Sequence, residues 1–143
     1  MKGKLIIIEG TDCSGKETQC KKLIEKLNGE GYKTFTMPFP RYDTPTGAII
    51  GGPLLGKSHI CESFFEDPVS VPPKVAGLYY VADRLYNSSE IVKNLEEGKI
   101  VILDRYTTSN MGHQGGKLST KEERKELYEF YDKLEFDMWV TET

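Results

Sequence analysis

The chain has 143 residues, 38% of them apolar and 29% charged, with a net charge of −3. That length suits one domain with a real core, and the composition excludes a disordered or fibrous chain. The charge leaves no broad basic surface for nucleic acid or anionic membrane, so any phosphate recognition must be local.

In chain order, the β-branched run at residues 4–9, "LIIIE" at its centre, reads as a strand buried on both faces. A glycine-containing loop follows over 10–15. A helix is then expected from about 15 to 28, with Cys20, Leu23, Ile24 and Leu27 on one face and Asn28, Gly29 and Gly31 ending it. "YKTFTMP" (32–38) is a second strand, stopped by Pro38 and Pro40. Residues 45–57 can hold only a short helix against four glycines and Pro53. After a loop, Pro72 and Pro73 open a helix through 74–87. Ser88 or Ser89 caps a further helical segment, 90–97, ended by Gly98. "KIVILD" (99–104) is a third buried strand. Ser119 and Thr120, each three residues before a glutamate, give overlapping capping boxes. They start a helix with Leu127, Phe130, Tyr131 and Leu134 on its apolar face, and "DMWVTET" can begin a fourth strand. Strands alternating with helices imply an α/β fold, a three-layer sandwich around a parallel sheet.

The three cysteines (Cys13, Cys20, Cys61) show no metal-ligand spacing and read as reduced packing residues of a cytoplasmic protein. No apolar run is long enough for a signal core or a membrane span.

The segment "EGTDCSGKETQ" (9–19) carries the chemistry. A strand, a turn with Gly10 and Gly15, and a helix starting at Lys16 make a phosphate-binding loop. Backbone N–H groups converge there, the helix dipole adds partial positive charge, and Lys16 reaches the β- and γ-phosphates. The nucleotide-binding residues are therefore Gly10, Thr11, Asp12, Cys13, Ser14, Gly15, Lys16, Glu17 and Thr18. Glu17 stands where a hydroxyl residue ordinarily serves Mg²⁺. Thr18 is displaced by about 100° around the helix and cannot simply replace it. Glu17 then either points to solvent, or meets Mg²⁺ through water.

Three further motifs, "FPRYDTPTG" (39–47), "YYVADR" (79–84) and "LDRYTTSNMGHQGG" (103–116), join that loop in order. Together they resemble the thymidylate kinases, over essentially the whole chain to about Phe136. The resemblance implies a P-loop NTPase of nucleoside monophosphate kinase type, with residues 1–143 a single kinase domain incomplete at its C-terminus. On this reading the lid and later strands are absent and the chain alone is inactive. It implies phosphoryl transfer from ATP to dTMP with Mg²⁺, a homodimer, and neither nucleic acid nor membrane as partner.

By the same resemblance, Lys16, Asp12 and Arg105 are catalytic, Asp12 lying near the sugar 3′-hydroxyl and, with Asp104, in the metal environment. Phe39, Arg41 and Tyr42 match the monophosphate side, Tyr80 stacks on thymine, Arg84 hydrogen-bonds the base, and Arg105 contacts the acceptor phosphate. Asn110 and Gln114 match positions near base and sugar, while His113 departs from the usual tyrosine. The cations Lys16, Arg41, Arg84 and Arg105 suit a reaction that needs charge and alignment more than covalent help. Alternatives are a deoxynucleoside kinase, another nucleoside monophosphate kinase, or a nucleotide-binding fragment without turnover. A GTP-dependent switch is disfavoured because residues 104–107 read Asp-Arg-Tyr-Thr and no Asn-Lys-x-Asp occurs.

Overall fold

The structure is a computed structural model that describes residues 2–11, 13–105 and 114–134. The chain packs as two compact units, one of residues 1–39 and 87–106, the other of residues 40–86 and 107–143.

The first unit is built on three parallel strands, β1 (Lys4–Ile8), β2 (Thr34–Pro38) and β3 (Ile100–Asp104), in the order β1-β3-β2. Lys4 pairs with Ile100 and Ile8 with Asp104, while Thr34 and Pro38 flank the same two residues from the other side. Among the described strands only β3 has neighbours on both sides, and Val101, Ile102 and Leu103 are fully buried. The expectation of a β1 buried on both faces is corrected: Leu5 is 37% and Ile7 41% exposed. A β-branched run needs a covered face and a partner on each side to be buried, and among the described residues β1 pairs with β3 alone.

Helix α1 (Lys16–Gly29) joins β1 to β2, with Cys20 as its buried residue. It ends as its glycines predict: Gly31 is left-handed (φ 90°), and the N–H groups of Gly31 and Tyr32 return to the carbonyls of Asn28 and Leu27.

The second unit holds α2 (Pro45–Ile49), which runs into a π turn (Ile50–Leu54). Pro53 has no N–H to donate, and the ladder widens so that Leu55 N–H bonds Ile50 O at 2.9 Å. Ile50, Leu54, Val71 and Ala76 form a core, with Tyr42, Phe65, Tyr79 and Tyr80 packed against it.

Helix α3 (Pro73–Glu96) is one element, where the sequence reading separates two. Neither Ser88 nor Ser89 breaks it; serine is only a mild helix opponent, and no glycine or proline stands between. Helix α4 (Lys121–Asp132) has the capping box at Thr120, whose hydroxyl accepts from Glu123 N–H while Glu123 accepts from Thr120 N–H, each at 3.1 Å. Its buried Leu127 and Tyr131 match the expected apolar face, and the Tyr131 hydroxyl donates to the Pro73 carbonyl. Cys13 and Cys61 are exposed, so the packing role expected of all three cysteines holds for Cys20 alone. There, burial first and Asp104 second push the thiol up, keeping it protonated. The expected fourth strand lies outside the described residues. No described helix is long and apolar enough to cross a membrane.

Candidate active site

In the first unit the site grows from the C-terminal ends of parallel strands. β1 ends at Ile8, whose carbonyl receives the Arg105 N–H at 3.0 Å, and the Asp104 carbonyl receives the Phe39 N–H at 3.0 Å. Phe39, Asp104 and Arg105 are thus held level at the sheet's edge, where open α/β sheets bind ligands. Arg105 is left-handed (φ 63°), an unusual conformation for a residue with a side chain, found at the strand's end beside the loop.

The loop after β1 turns through a hydrogen bond from Ser14 N–H to Thr11 O at 3.3 Å. A Cβ at Gly10 would come within 2.8 Å of Ser14 Oγ, so a side chain there would require the Ser14 hydroxyl to turn away. Gly15 is left-handed (φ 83°) and caps α1 without any side-chain bond, so the first N–H groups of α1 keep no cap from that side chain. Thr11, Cys13, Ser14, Gly15, Lys16, Glu17, Thr18 and Asp104 line a cavity of about 390 Å³. Lys16 Nζ lies 2.5 Å from Asp104 Oδ1, a close ion pair between the loop and the end of β3. Loop, lysine and aspartate therefore converge on one cavity. Asp12 and Asn110 lie outside the described residues, as does His113.

Glu17 takes the outward course. Its side chain is 79% exposed and pairs with Lys21 at 3.0 Å, one turn along α1. The Lys21 ammonium, by hydrogen bond and charge, holds the carboxyl below its ordinary value. We expect Glu17→Ser to change ATP affinity by less than about twofold, with or without Mg²⁺, because the charge is solvated and already paired. Calorimetric titration of both proteins checks this; a clear tightening of metal-free binding in the variant would place the carboxylate beside the phosphates instead.

The second unit holds Arg41, Tyr42, Tyr80, Arg84 and Gln114, of which Tyr42, Tyr80 and Arg84 interact. Tyr80 and Arg84 are four residues apart on α3 and share a face. Burial pushes the Tyr80 phenol up to about 12, the Tyr42 hydroxyl adds to this, and the Arg84 guanidinium opposes it. Arg84 is 3% exposed, an expensive place for a guanidinium that serves nothing. Gln114 is buried, and among the described residues no donor reaches its side-chain carbonyl oxygen.

Tyr80 carries a pH signature. Its folded value lies above the ordinary tyrosine value of about 10, so the neutral form is favoured by folding. That contribution is complete below about pH 10 and is lost as pH rises towards about 12. Tyr80→Phe should flatten the decline in denaturation midpoint across this window; an unchanged alkaline slope would show that Tyr80 does not set it.

Two residues outside the sequence reading belong to this unit. Lys57 Nζ sits 4.9 Å from the centre of the Tyr42 ring, a cation–π contact that no spacing announces. Asp83 is buried and accepts from the segment that carries Arg41. Its position inside "YYVADR", beside Arg84, is the one sequence signal that could have found it.

A glycine-lined loop between a parallel strand and a helix, its lysine facing the end of the neighbouring strand, defines a P-loop NTPase. The thymidylate kinase family model matches residues 8–131, and the chain belongs to that family. It is 34% identical over 116 residues to a thymidylate kinase of Arabidopsis thaliana, covering 81% of this chain and 40% of that protein. It is 36% identical over 112 residues to a probable thymidylate kinase of Thermococcus kodakarensis, covering 76% and 52%. A solved thymidylate kinase from Candida albicans, described as having broad substrate specificity, aligns with TM-score 0.69 and 31% identity over 93% of this chain and 56% of that one. The chain spans about half the length of the relatives it matches.

Proposed function

We propose that the protein carrying this chain transfers the terminal phosphoryl group of ATP to dTMP, giving dTDP and ADP. The observation that carries this is the Lys16–Asp104 contact at 2.5 Å inside the cavity of the glycine loop, in a chain of this family. The first N–H groups of α1 and the Lys16 ammonium supply positive charge for the donor phosphates. Arg105, at the end of β3, supplies a guanidinium fork for the acceptor phosphate, with Asp12 at the sugar hydroxyl. In the other unit, Tyr80 and Arg84 serve the base by stacking and hydrogen bonding, Arg41 and Tyr42 the monophosphate, and Gln114 and Asn110 the base and sugar. Phe39 closes the end of β2.

Mg²⁺ fits this donor set. The ion takes one or two carboxylates and fills its shell with phosphate oxygens and water, and the Asp104 carboxylate lines the cavity beside the glycine loop. No described group of three His, Cys, Asp or Glu could form a cage, so the protein would contribute Asp104, with Asp12, and little else. When bound, the ion neutralises charge between the β- and γ-phosphates.

We further propose a cytoplasmic homodimer. Val75, Leu78, Leu85 and Tyr86 on α3 are exposed apolar side chains, a suitable surface for a second copy.

A coupled ADP-release assay of the full-length protein with dTMP, dUMP, thymidine, AMP and CMP tests the assignment. Preference for dTMP is expected. Preference for thymidine would make it a nucleoside kinase, and preference for AMP or CMP a different monophosphate kinase.

A further inference from the structure

We propose that Asp83 is a positioning residue of the acceptor side: its buried carboxylate fixes the turn bearing Arg41 to the helix that carries Tyr80 and Arg84. This rests on the reading of those three residues as the dTMP-binding set.

Asp83 is 1% exposed, and a carboxylate is tolerated there only when its lone pairs are filled. One short turn supplies part of that filling. Oδ2 accepts the Arg41 backbone N–H at 2.8 Å, and Oδ1 accepts the Thr46 hydroxyl at 2.7 Å. The Thr44 hydroxyl also lies 3.4 Å from Oδ1, but its single proton is better directed to the Arg41 carbonyl at 2.8 Å.

That carbonyl is held a second time, by Thr44 N–H at 3.0 Å. Gly47 abuts it so closely that a Cβ there would fall 1.7 Å from the Arg41 oxygen. The peptide groups on both sides of the Arg41 Cα are thus clamped, the one before it by Asp83 and the one after it by Thr44. Arg41 begins its side chain from a fixed point.

The clamp's other end matters equally. Asp83 stands on α3 next to Arg84 and three residues, nearly one turn, beyond Tyr80. One carboxylate therefore joins the residue expected at the acceptor phosphate to the two expected at the base. A monophosphate has a fixed distance between these groups, and a protein that sets its own spacing does not spend binding energy on finding it.

The test uses the full-length protein and the variants Asp83→Ala, Asp83→Asn, Arg41→Ala and Asp83→Ala/Arg41→Ala. Asp83→Ala should raise the dTMP KM about tenfold or more and leave the ATP KM within about twofold. Asparagine keeps a carbonyl for the Arg41 N–H, and the Thr46 hydroxyl can turn to accept from its amide, so Asp83→Asn should stay within about threefold of wild type. If Asp83 acts through Arg41, the double variant should be no worse than Arg41→Ala by more than about twofold.

A readout free of substrate accompanies the kinetics. Exchange of the Arg41 amide hydrogen should accelerate about 100-fold in Asp83→Ala, with the central amides of α3 unchanged. Full additivity in the double variant, an equal rise in both KM values, or an unchanged Arg41 amide would each overturn the proposal. Should wild type prefer another acceptor while the Arg41 amide responds as stated, the dTMP reading is what fails, and the kinetic cycle is run with the preferred acceptor. If Asp83→Ala does not fold, Thr46→Val removes one donor and should raise the acceptor KM about three- to fivefold; no rise there would equally overturn it.

Discussion

Lys16→Ala in the full-length protein is expected to lower kcat/KM for phosphoryl transfer by a factor of about 10³ or more, with the fold retained. The rate loss follows from chemistry that works by placing positive charge on migrating phosphate oxygens, so removing the lysine takes away stabilisation that water does not replace. The stability argument runs through the lysine's partner. The contact with Asp104 is mostly shielded, the two side chains being 13% and 32% exposed, so its loss falls between the about 0–1 kcal/mol of an exposed pair and the about 3–5 kcal/mol of breaking a buried one. Alanine at the first position of α1 is also a good helix former, which offsets part of that loss. Parallel measurement of ADP release and thermal unfolding separates the two effects. A folded variant with near-normal turnover would remove the loop from the reaction.

Arg84→Ala is expected to raise the dTMP KM roughly 10- to 100-fold, the range for losing hydrogen bonds to a charged group, while the ATP KM moves less than about twofold. Arg84 shares a helix face with Tyr80 and opposes the rise of its phenol, so its charge is felt at the residue expected to stack on the base. Because the guanidinium is buried, some loss of stability should accompany the change, through packing of its stem and through groups that lose their partner. The split between the two KM values is what a purely structural arginine could not produce. An equal rise in both would assign Arg84 to the scaffold or to the phosphoryl centre.

Much of this molecule is legible in its sequence, for reasons that can be named. The loop from Gly10 to Lys16 is local, and its glycines are needed by its own geometry. The capping box at Thr120 and Glu123 is equally local, as is the end of α1 at Gly31. What escapes the sequence is what depends on distant neighbours. The run at residues 4–9 has the composition of a central strand, but among the described strands the order β1-β3-β2 gives it one partner. The serines at 88 and 89 offer a cap that the helix does not use, because weak local preference yields to continuous packing. Asp83 contacts Arg41 across 42 positions of chain, and no spacing rule connects them. Glu17 was ambiguous in sequence because either rotation of its side chain is chemically reasonable; Lys21, one turn on, decides it.

The exposure of Leu5 and Ile7 also bears on how the protein is handled. The two side chains stand two positions apart on β1 and so share one face of the strand, a small apolar strip that other apolar surfaces can meet. The strand that brings Gly10 and Lys16 into place for a nucleotide thus carries a strip prone to self-association. A charged residue introduced at Leu5, away from the loop, is the conservative means of keeping the protein dispersed.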